Sequence, residues 1–304
     1  MIEARGISKF FSVVNEKGLA EGLTAVLNVS LSIADGRIVS LLGPSGCGKS
    51  TFLEILAGLQ APTDGEIRID GKLVLEPLPS TRKEMEEYKR RYRFISPLAN
   101  GVFTDRPKHD IAMIFQDYAV FPWMTALQNI VFALKLRLAG KKRSERPSGA
   151  EIAEKAGFYL GKVGLAGSEN KYPSQLSGGM RQRLALARAL SVEPKIILMD
   201  EPFAAVDALQ REKLQDDLLC LWEEAKDNAS PIIIVMVSHD VPEAVYLSDE
   251  VIVFSPGPGG TVRNRIPVDI PRPRARTDQE IVEIQERIFA ILQYDINQES
   301  MYAI

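Results

Sequence analysis

Apolar positions along this chain recur at two periods, and the switches between them divide it into strands and helices. Residues 1 to 42 read as strands. Ala25-Val26-Leu27-Asn28-Val29-Ser30-Leu31-Ser32-Ile33 alternates apolar and polar positions, and Ala34-Asp35-Gly36-Arg37 turns the chain into the apolar run Ile38-Val39-Ser40-Leu41-Leu42. Phe52, Leu53, Ile55, Leu56 and Leu59 then repeat at helical spacing, and Asp64 to Gly71 reads as a short strand between turns. A polar stretch runs from about Glu76 to His109 before strand character returns at 111 to 115. Pro122 to Gly164 is mostly helical, interrupted by the charged loop from Gly140 to Pro147. Leu176 to Leu190 and Leu209 to Lys226 are further helical blocks. Ile196 to Met199 and Ile232 to Val237 are apolar at every position, as in strands buried on both faces of a parallel sheet. Pro256-Gly257-Pro258-Gly259-Gly260 is a sharp turn, and Pro271-Arg272-Pro273-Arg274 sets off a last helix from about Asp278 to Gln293.

Between the run ending at Leu42 and the helix that follows lies Gly43-Pro44-Ser45-Gly46-Cys47-Gly48-Lys49-Ser50-Thr51. This is G-x-x-x-x-G-K-S in the strand–helix context that a phosphate-binding loop needs. Its glycines let the backbone wrap a polyphosphate and aim N–H groups inward, and the helix adds its positive end. In this reading Lys49 reaches the β- and γ-phosphates and the Ser50 hydroxyl holds Mg²⁺. By itself the loop says only that a nucleoside triphosphate binds. A second feature adds chemistry: Ile196-Ile197-Leu198-Met199-Asp200-Glu201 is a buried strand ending in two carboxylates, at the edge where open α/β sheets bind ligands. Asp200 would orient the Mg²⁺ shell, and Glu201 would orient or deprotonate the attacking water. The other reading of the pair is a solvated acidic turn.

Composition narrows the class. The 304 residues suffice for one large domain or two modest ones, and 45% hydrophobic with 25% charged residues is ordinary for a soluble globular protein. A formal charge of −3 gives no electrostatic case for a nucleic-acid partner. Two cysteines without C-x-x-C spacing fit a reducing compartment. The first residues lack the basic-then-apolar order of a secretory signal, and the apolar runs are too short to span a bilayer. Any membrane role is therefore expected to come through a separate chain. Cys47, beside a helix N-terminus and Lys49, is expected to react as a thiolate while the loop is open. Cys220, amid Leu218, Leu219 and Leu221, is expected to be the slower thiol, a small core residue.

Further motifs carry a family resemblance. Leu176-Ser177-Gly178-Gly179-Met180-Arg181-Gln182-Arg183 resembles the signature of the nucleotide-binding subunits of ABC transporters. Gln116, Ala205-Val206-Asp207 and Ser238-His239-Asp240 resemble that family's Q-loop, D-loop and switch segment, all in family order from about residue 3 to 260. The resemblance implies an α/β P-loop NTPase core with a mostly parallel sheet, an antiparallel β subdomain and an α-helical signature subdomain. The implied ATPase domain is 1–265, with the helical subdomain at about 122–190, followed by a tail with its own helix over 266–304. It also implies that Phe11 stacks on adenine, that His239 contacts the γ-phosphate, that Gln116 touches Mg²⁺ and senses the membrane subunit, and that Asp207 belongs to the nucleotide site. Ser177, Gly178 and Gly179 open a helix and so offer N–H groups to an anion. In the family they grip the γ-phosphate held by the phosphate loop of the other protomer. The resemblance thus implies a head-to-tail homodimer, or a pseudo-dimer with a related subunit, on the cytoplasmic face of the membrane. Its partners would be permease subunits and, indirectly, a solute-binding protein.

Phe121-Pro122-Trp123-Met124-Thr125, Tyr172-Pro173 and the tail Ile270-Pro271-Arg272-Pro273-Arg274 resemble the nitrate, sulfonate and taurine import branch. Uptake of a small anion such as nitrate, sulfonate/taurine or bicarbonate is the expected role. Trp123 is then either an anchor in the groove for the transporter's coupling helix or a core tryptophan. The tail helix packs on its own core, dimerises or binds a regulator. Two departures stand out. Val206 replaces the usual Leu, and Leu78 to Pro107 is an extension carrying Lys89-Arg90-Arg91-Tyr92-Arg93. That extension reads as a peripheral helix or hairpin, or as a contact to anionic lipid or a partner. The rival classes are an ABC ATPase of DNA repair or translation, and a module that holds ATP without turnover. A single cassette with no long heptad run speaks against the first, and Asp200-Glu201 against the second. An importer of an unrelated solute is the remaining alternative.

Overall fold

A computed structural model describes residues 1–14, 20–77, 111–139, 142–204, 206–226 and 231–302. The Leu78 to Pro107 extension and Ala205 lie outside the described residues. In chain order the elements begin with β1 (Ile2–Val14), β2 (Ala20–Ile33), β3 (Ile38–Leu42), α1 (Lys49–Leu56), β4 (Asp64–Ile69) and β5 (Lys72–Leu75). Next come β6 (Ile111–Ile114), α2 (Ala126–Leu138), α3 (Gly149–Lys162), α4 (Gly178–Ser191), β7 (Ile196–Asp200) and α5 (Ala208–Lys226). The last group is β8 (Ile233–Val237), α6 (Val241–Leu247), β9 (Glu250–Phe254), β10 (Val262–Pro267) and α7 (Gln279–Tyr302). They fall into two compact units, Met1–Lys108 with Ile233–Ile304, and His109–Ile232.

The first unit carries an antiparallel sheet in the order β2-β1-β4-β5. Its other strands centre on β3, which pairs in parallel with β8 on one side and β9 on the other, with β10 antiparallel to β9. All five residues of β3 and of β8 are buried, as in a parallel sheet covered on both faces, and the one polar residue among them, Ser40, shares a hydrogen bond with the Ser248 hydroxyl at 2.5 Å. Phe52 of α1 packs against Phe254 of β9 with ring centroids 5.9 Å apart. Of the three readings of the tail helix, the structure shows the first. Ile281 and Ile288 of α7 are fully buried with Val241, Ala244 and Val245 of α6 and with Val251, Val253 and Ile266.

The second unit pairs β6 with β7 in parallel, Ile111 opposite Ile196 through Ile114 opposite Met199. Its helical block splits in two. Thr125 with Gln128 boxes the start of α2, and Ser148 with Glu151 boxes the start of α3. Each such cap stabilises its helix by about 1 kcal/mol. Trp222 of α5 is buried and its Nε1 donates to the Ile232 carbonyl oxygen at 2.9 Å. Among the described residues no helix is long and apolar enough to cross a membrane.

Candidate functional site

In the first unit the phosphate loop and the switch segment leave neighbouring strand ends. Leu41 of β3 lies opposite Val237 of β8, and the Ser238 N–H donates to the Leu41 carbonyl oxygen at 3.1 Å. The loop after Leu42 and His239 after Ser238 therefore emerge at one carboxyl edge, where open sheets bind ligands. Gly48, with φ of +95°, is the N-cap of α1 and gives the helix no side-chain cap. A β-carbon there would overlap the Ala25 carbonyl oxygen, so only glycine fits the turn. A helix N-terminus of this kind, with no side-chain cap at its N-cap, suits an anion. Lys49 is buried, and its ammonium donates to the carbonyl oxygens of Gly43 and Pro44 at 2.8 Å each. These bonds fold its side chain back over the loop. Ser45, Gly46 and Ser50 are exposed along the same turn, and Thr51 is half-buried in the first turn of α1.

Cys47 overturns an expectation. Its side chain is fully buried and its Sγ lies 3.5 Å from Lys49 Nζ, whereas Cys220 is exposed. The left-handed turns at Gly46 and Gly48 rotate Cys47 beneath the loop rather than toward its mouth. On α5, Leu218, Leu221 and Trp222 occupy the buried stripe, and position 220 falls outside it. The glycine-rich turn after β9 also has a partner that its sequence did not reveal. A β-carbon on Gly260 would overlap the Cys47 carbonyl oxygen, so this turn backs the phosphate loop directly. More glycines than one turn needs were the available signal.

Phe11 lies on β1 opposite Leu23, half-buried, with Lys9 Nζ 5.0 Å from its ring centroid. His239 is exposed, and the backbone on both sides of it is tied down. Ser238 Oγ donates to Glu243 Oε1 at 2.7 Å, the Asp240 N–H donates to Ser238 Oγ at 3.0 Å, and the Glu243 N–H donates to Asp240 Oδ1 at 3.0 Å.

In the second unit, Gln116 and Asp200-Glu201 follow the paired ends of β6 and β7, and Gln116 Nε2 donates to Glu201 Oε2 at 3.2 Å. Glu201 holds φ of +46°, a backbone state that costs a non-glycine residue and concentrates at functional positions. Ser177 is the N-cap of α4, its Oγ accepting from the Met180 N–H at 3.3 Å, and Gly178 and Gly179 form the first turn. Asp207 caps α5 in the same way, accepting from the Gln210 N–H at 3.1 Å. Gln210 in turn sits against Gly179, where a β-carbon would come 2.8 Å from its Oε1. The signature turn and the start of α5 are thus brought together.

Arg188 of α4 was not singled out by sequence, since its spacing does not set it apart from the other arginines of that helix. Its guanidinium donates to the carbonyl oxygens of Ala119 at 2.6 Å and Tyr118 at 3.0 Å, and lies 5.5 Å from the Phe121 ring centroid. Burial pulls its pKa below the usual arginine value. It also lines a cavity of about 400 Å³ with Phe115, Phe121, Phe132 and Leu136. Beside that groove Trp123 is 69% exposed, its ring centroid 5.6 Å from that of Phe121, which removes the core reading of this residue.

Each side chain assigned to Mg²⁺ is by its own chemistry suited to that ion, Ser50 in the first unit and Gln116 and Asp200 in the second. The Ser50 hydroxyl, the Gln116 amide oxygen and the Asp200 carboxylate are hard oxygen donors, and Mg²⁺ takes few of these from protein while substrate phosphates and water complete its shell. Among the described residues no three His, Cys, Asp or Glu side chains form an all-protein cage.

The chain is similar to several known proteins. The ABC transporter family model matches residues 26–204. An uncharacterized ABC transporter ATP-binding protein of Methanocaldococcus jannaschii is 39% identical over 272 residues, 90% of this chain and 85% of that protein. The nitrate import ATP-binding protein NrtD of Synechococcus elongatus is 35% identical over 254 residues, 83% of this chain and 77% of its own length. A solved ATP-binding cassette, a dimer in a post-hydrolysis state bound to ADP and Pi, superposes with a TM-score of 0.64 at 30% identity, covering 89% of this chain and all of the other.

Proposed function

Because the chain belongs to the ABC transporter family, as an ATP-hydrolysing cassette, we propose that it energises an importer whose membrane-spanning part is a separate chain and whose cargo is a small anion of the nitrate class. The groove of the second unit carries this reading. Its wall of Phe115, Phe121, Phe132 and Leu136, with exposed Trp123 beside it, fits the apolar face of a short helix from a membrane partner. Arg188 joins that groove to the nucleotide machinery. The guanidinium over Phe121 also holds the Tyr118 and Ala119 carbonyls, immediately after Gln116 and Asp117. The likeness to a nitrate import protein supports the class of cargo.

In this reading the phosphate loop and the start of α1 bind the ATP phosphates, and Lys49 exchanges its carbonyl partners for the β- and γ-phosphates. Phe11 stacks on the adenine. Ser50, Gln116 and Asp200 hold Mg²⁺, which when bound neutralises charge on the transferring phosphoryl group. Glu201 orients the attacking water and takes its proton, with the Gln116 amide steering the carboxylate. The water oxygen bonds to the γ-phosphorus as the bond to the ADP oxygen breaks, and ADP and phosphate leave. His239 contacts the γ-phosphate. Ser177, Gly178, Gly179 and Asp207 serve the nucleotide of a second copy, so ATP closes the dimer and its hydrolysis lets it open at the cytoplasmic face of the membrane.

Trp123→Ala tests the docking surface. The purified variant should keep basal ATPase within about twofold, since no phosphate-contacting group is touched. It should lose stimulation by the membrane complex and no longer co-purify with it. Full stimulation and normal co-purification would refute the groove as the partner surface.

A further inference from the structure

The segment between β10 and α7 carries three arginines that the reaction described above does not use. Arg274 is 7% exposed, a rare place for a guanidinium unless it is paired. Its Nη1 donates to the carbonyl oxygens of Val245 at 3.0 Å, Tyr246 at 3.0 Å and Ser248 at 2.7 Å. Nη2 donates to Val268 and Nε to Ile270, each at 3.0 Å. Val245 and Tyr246 belong to the last turn of α6 and Ser248 is its C-cap. A helix leaves its final carbonyls without partners of its own and its C-terminal end partly negative, so a guanidinium there answers both.

Neighbouring groups reinforce the clasp. Arg272 Nη2 donates to the Leu247 carbonyl oxygen at 2.6 Å, and its Nη1 pairs with Asp249. The Asp249 carboxylate accepts the N–H of Ile38 at 2.8 Å, at the start of the strand that feeds the phosphate loop. The Arg276 guanidinium lies 3.8 Å from the Tyr246 ring centroid. Burial, and then the adjacent Arg272, pull the Arg274 pKa down to about 10, which leaves it charged at neutral pH.

Helix α6 starts at the switch segment. Its near end is tied by Ser238, Asp240 and Glu243 with His239 among them, and its far end by the tail arginines. Seven residues make about two turns, so the placement of the helix depends on the core packing of Val241, Ala244 and Val245 and on the ties at its two ends. The anchor at the far end therefore contributes to how firmly the near end is held. We propose that Arg274 is a positioning residue for His239, acting through α6, which makes the tail a working part of the hydrolytic site. The proposal rests on the reading of His239 as the γ-phosphate contact.

The test is steady-state ATPase of the purified full chain with Arg274→Met, Arg274→Lys, His239→Ala and the double variant His239→Ala/Arg274→Met. Arg274→Met should lower kcat about tenfold while KM for ATP stays within about twofold, because binding rests on the phosphate loop. Arg274→Lys should lower kcat about threefold, since an ammonium keeps the charge but lacks the fork that spans the carbonyls. It is the deciding variant if Arg274→Met does not fold. Adding Arg274→Met to His239→Ala should change kcat by less than about twofold, as expected when two residues act through one contact. Wild-type kcat in a folded Arg274 variant, a loss carried by KM, or single losses that multiply in the double variant would each overturn the proposal. Wild-type kcat in His239→Ala would instead overturn the reading of His239, and the proposal with it.

Discussion

Two helices in this chain begin at glycine turns suited to phosphate, and they are finished differently. Helix α1 follows Gly48, receives no side-chain cap, and starts with Lys49, whose ammonium is folded over Gly43 and Pro44. Helix α4 follows Ser177, whose own hydroxyl takes the Met180 N–H, and its Arg181 is turned back to the Leu176 carbonyl. The first turn has no side-chain cap and brings a cation with it. The second answers one donor itself and brings no lysine. In the proposed reading the first turn binds the phosphates of its own nucleotide and the second lends donors to a phosphate held by another copy.

The largest effect should come from Lys49. Lys49→Ala should weaken ATP binding by at least about a hundredfold in a calorimetric titration, because in the proposed reading it removes a charge that meets the phosphates directly. Ser177→Ala should leave binding by the isolated chain within about twofold while lowering turnover. Equal losses of binding in both would break the comparison.

A glycine pair sharpens it. Gly260→Ala would drive a methyl group into the Cys47 carbonyl and displace the phosphate loop, so ATP affinity should fall about tenfold. Gly179→Ala meets only the end of the Gln210 side chain, which can turn away, and should leave affinity unchanged. The same titration decides both.

Thiol labelling gives a smaller effect and reverses the expectation from sequence. Cys220 should react first in the native chain, and Cys47 should stay unlabelled with or without MgATP, as peptide mapping after brief alkylation would show. Rapid, nucleotide-protected labelling of Cys47 would mean that the loop opens further than its buried thiol indicates. The smallest expected effect is Ser148→Ala, which removes the cap of α3 and should cost about 1 kcal/mol in denaturant unfolding without changing ATP affinity.

What was legible in the sequence was local. The phosphate loop between β3 and α1, and the carboxylates at the end of β7, follow from apolar runs and a motif a few residues long. What was not legible depends on backbone handedness or on distant partners. Cys47 points inward because Gly46 and Gly48 turn left-handed. Gly260 matters because the Cys47 carbonyl, far away in sequence, lies against it. Arg188 and Arg274 act on carbonyls of other segments, and a carbonyl carries no side-chain signature. Trp123 reads in sequence as either a core residue or a surface anchor, and only the folded surface, where it is exposed, decides between them.

The most direct measurement mixes two inactive chains. Lys49→Ala spoils the phosphate loop and keeps the signature turn, and Ser177→Arg does the reverse. If the two turns serve one nucleotide across a dimer, half the dimers in an equal mixture are mixed, and each of these has one intact site. ATPase activity should then recover to about a quarter of the wild-type rate. A mixture no more active than the average of its two components would contradict the shared site.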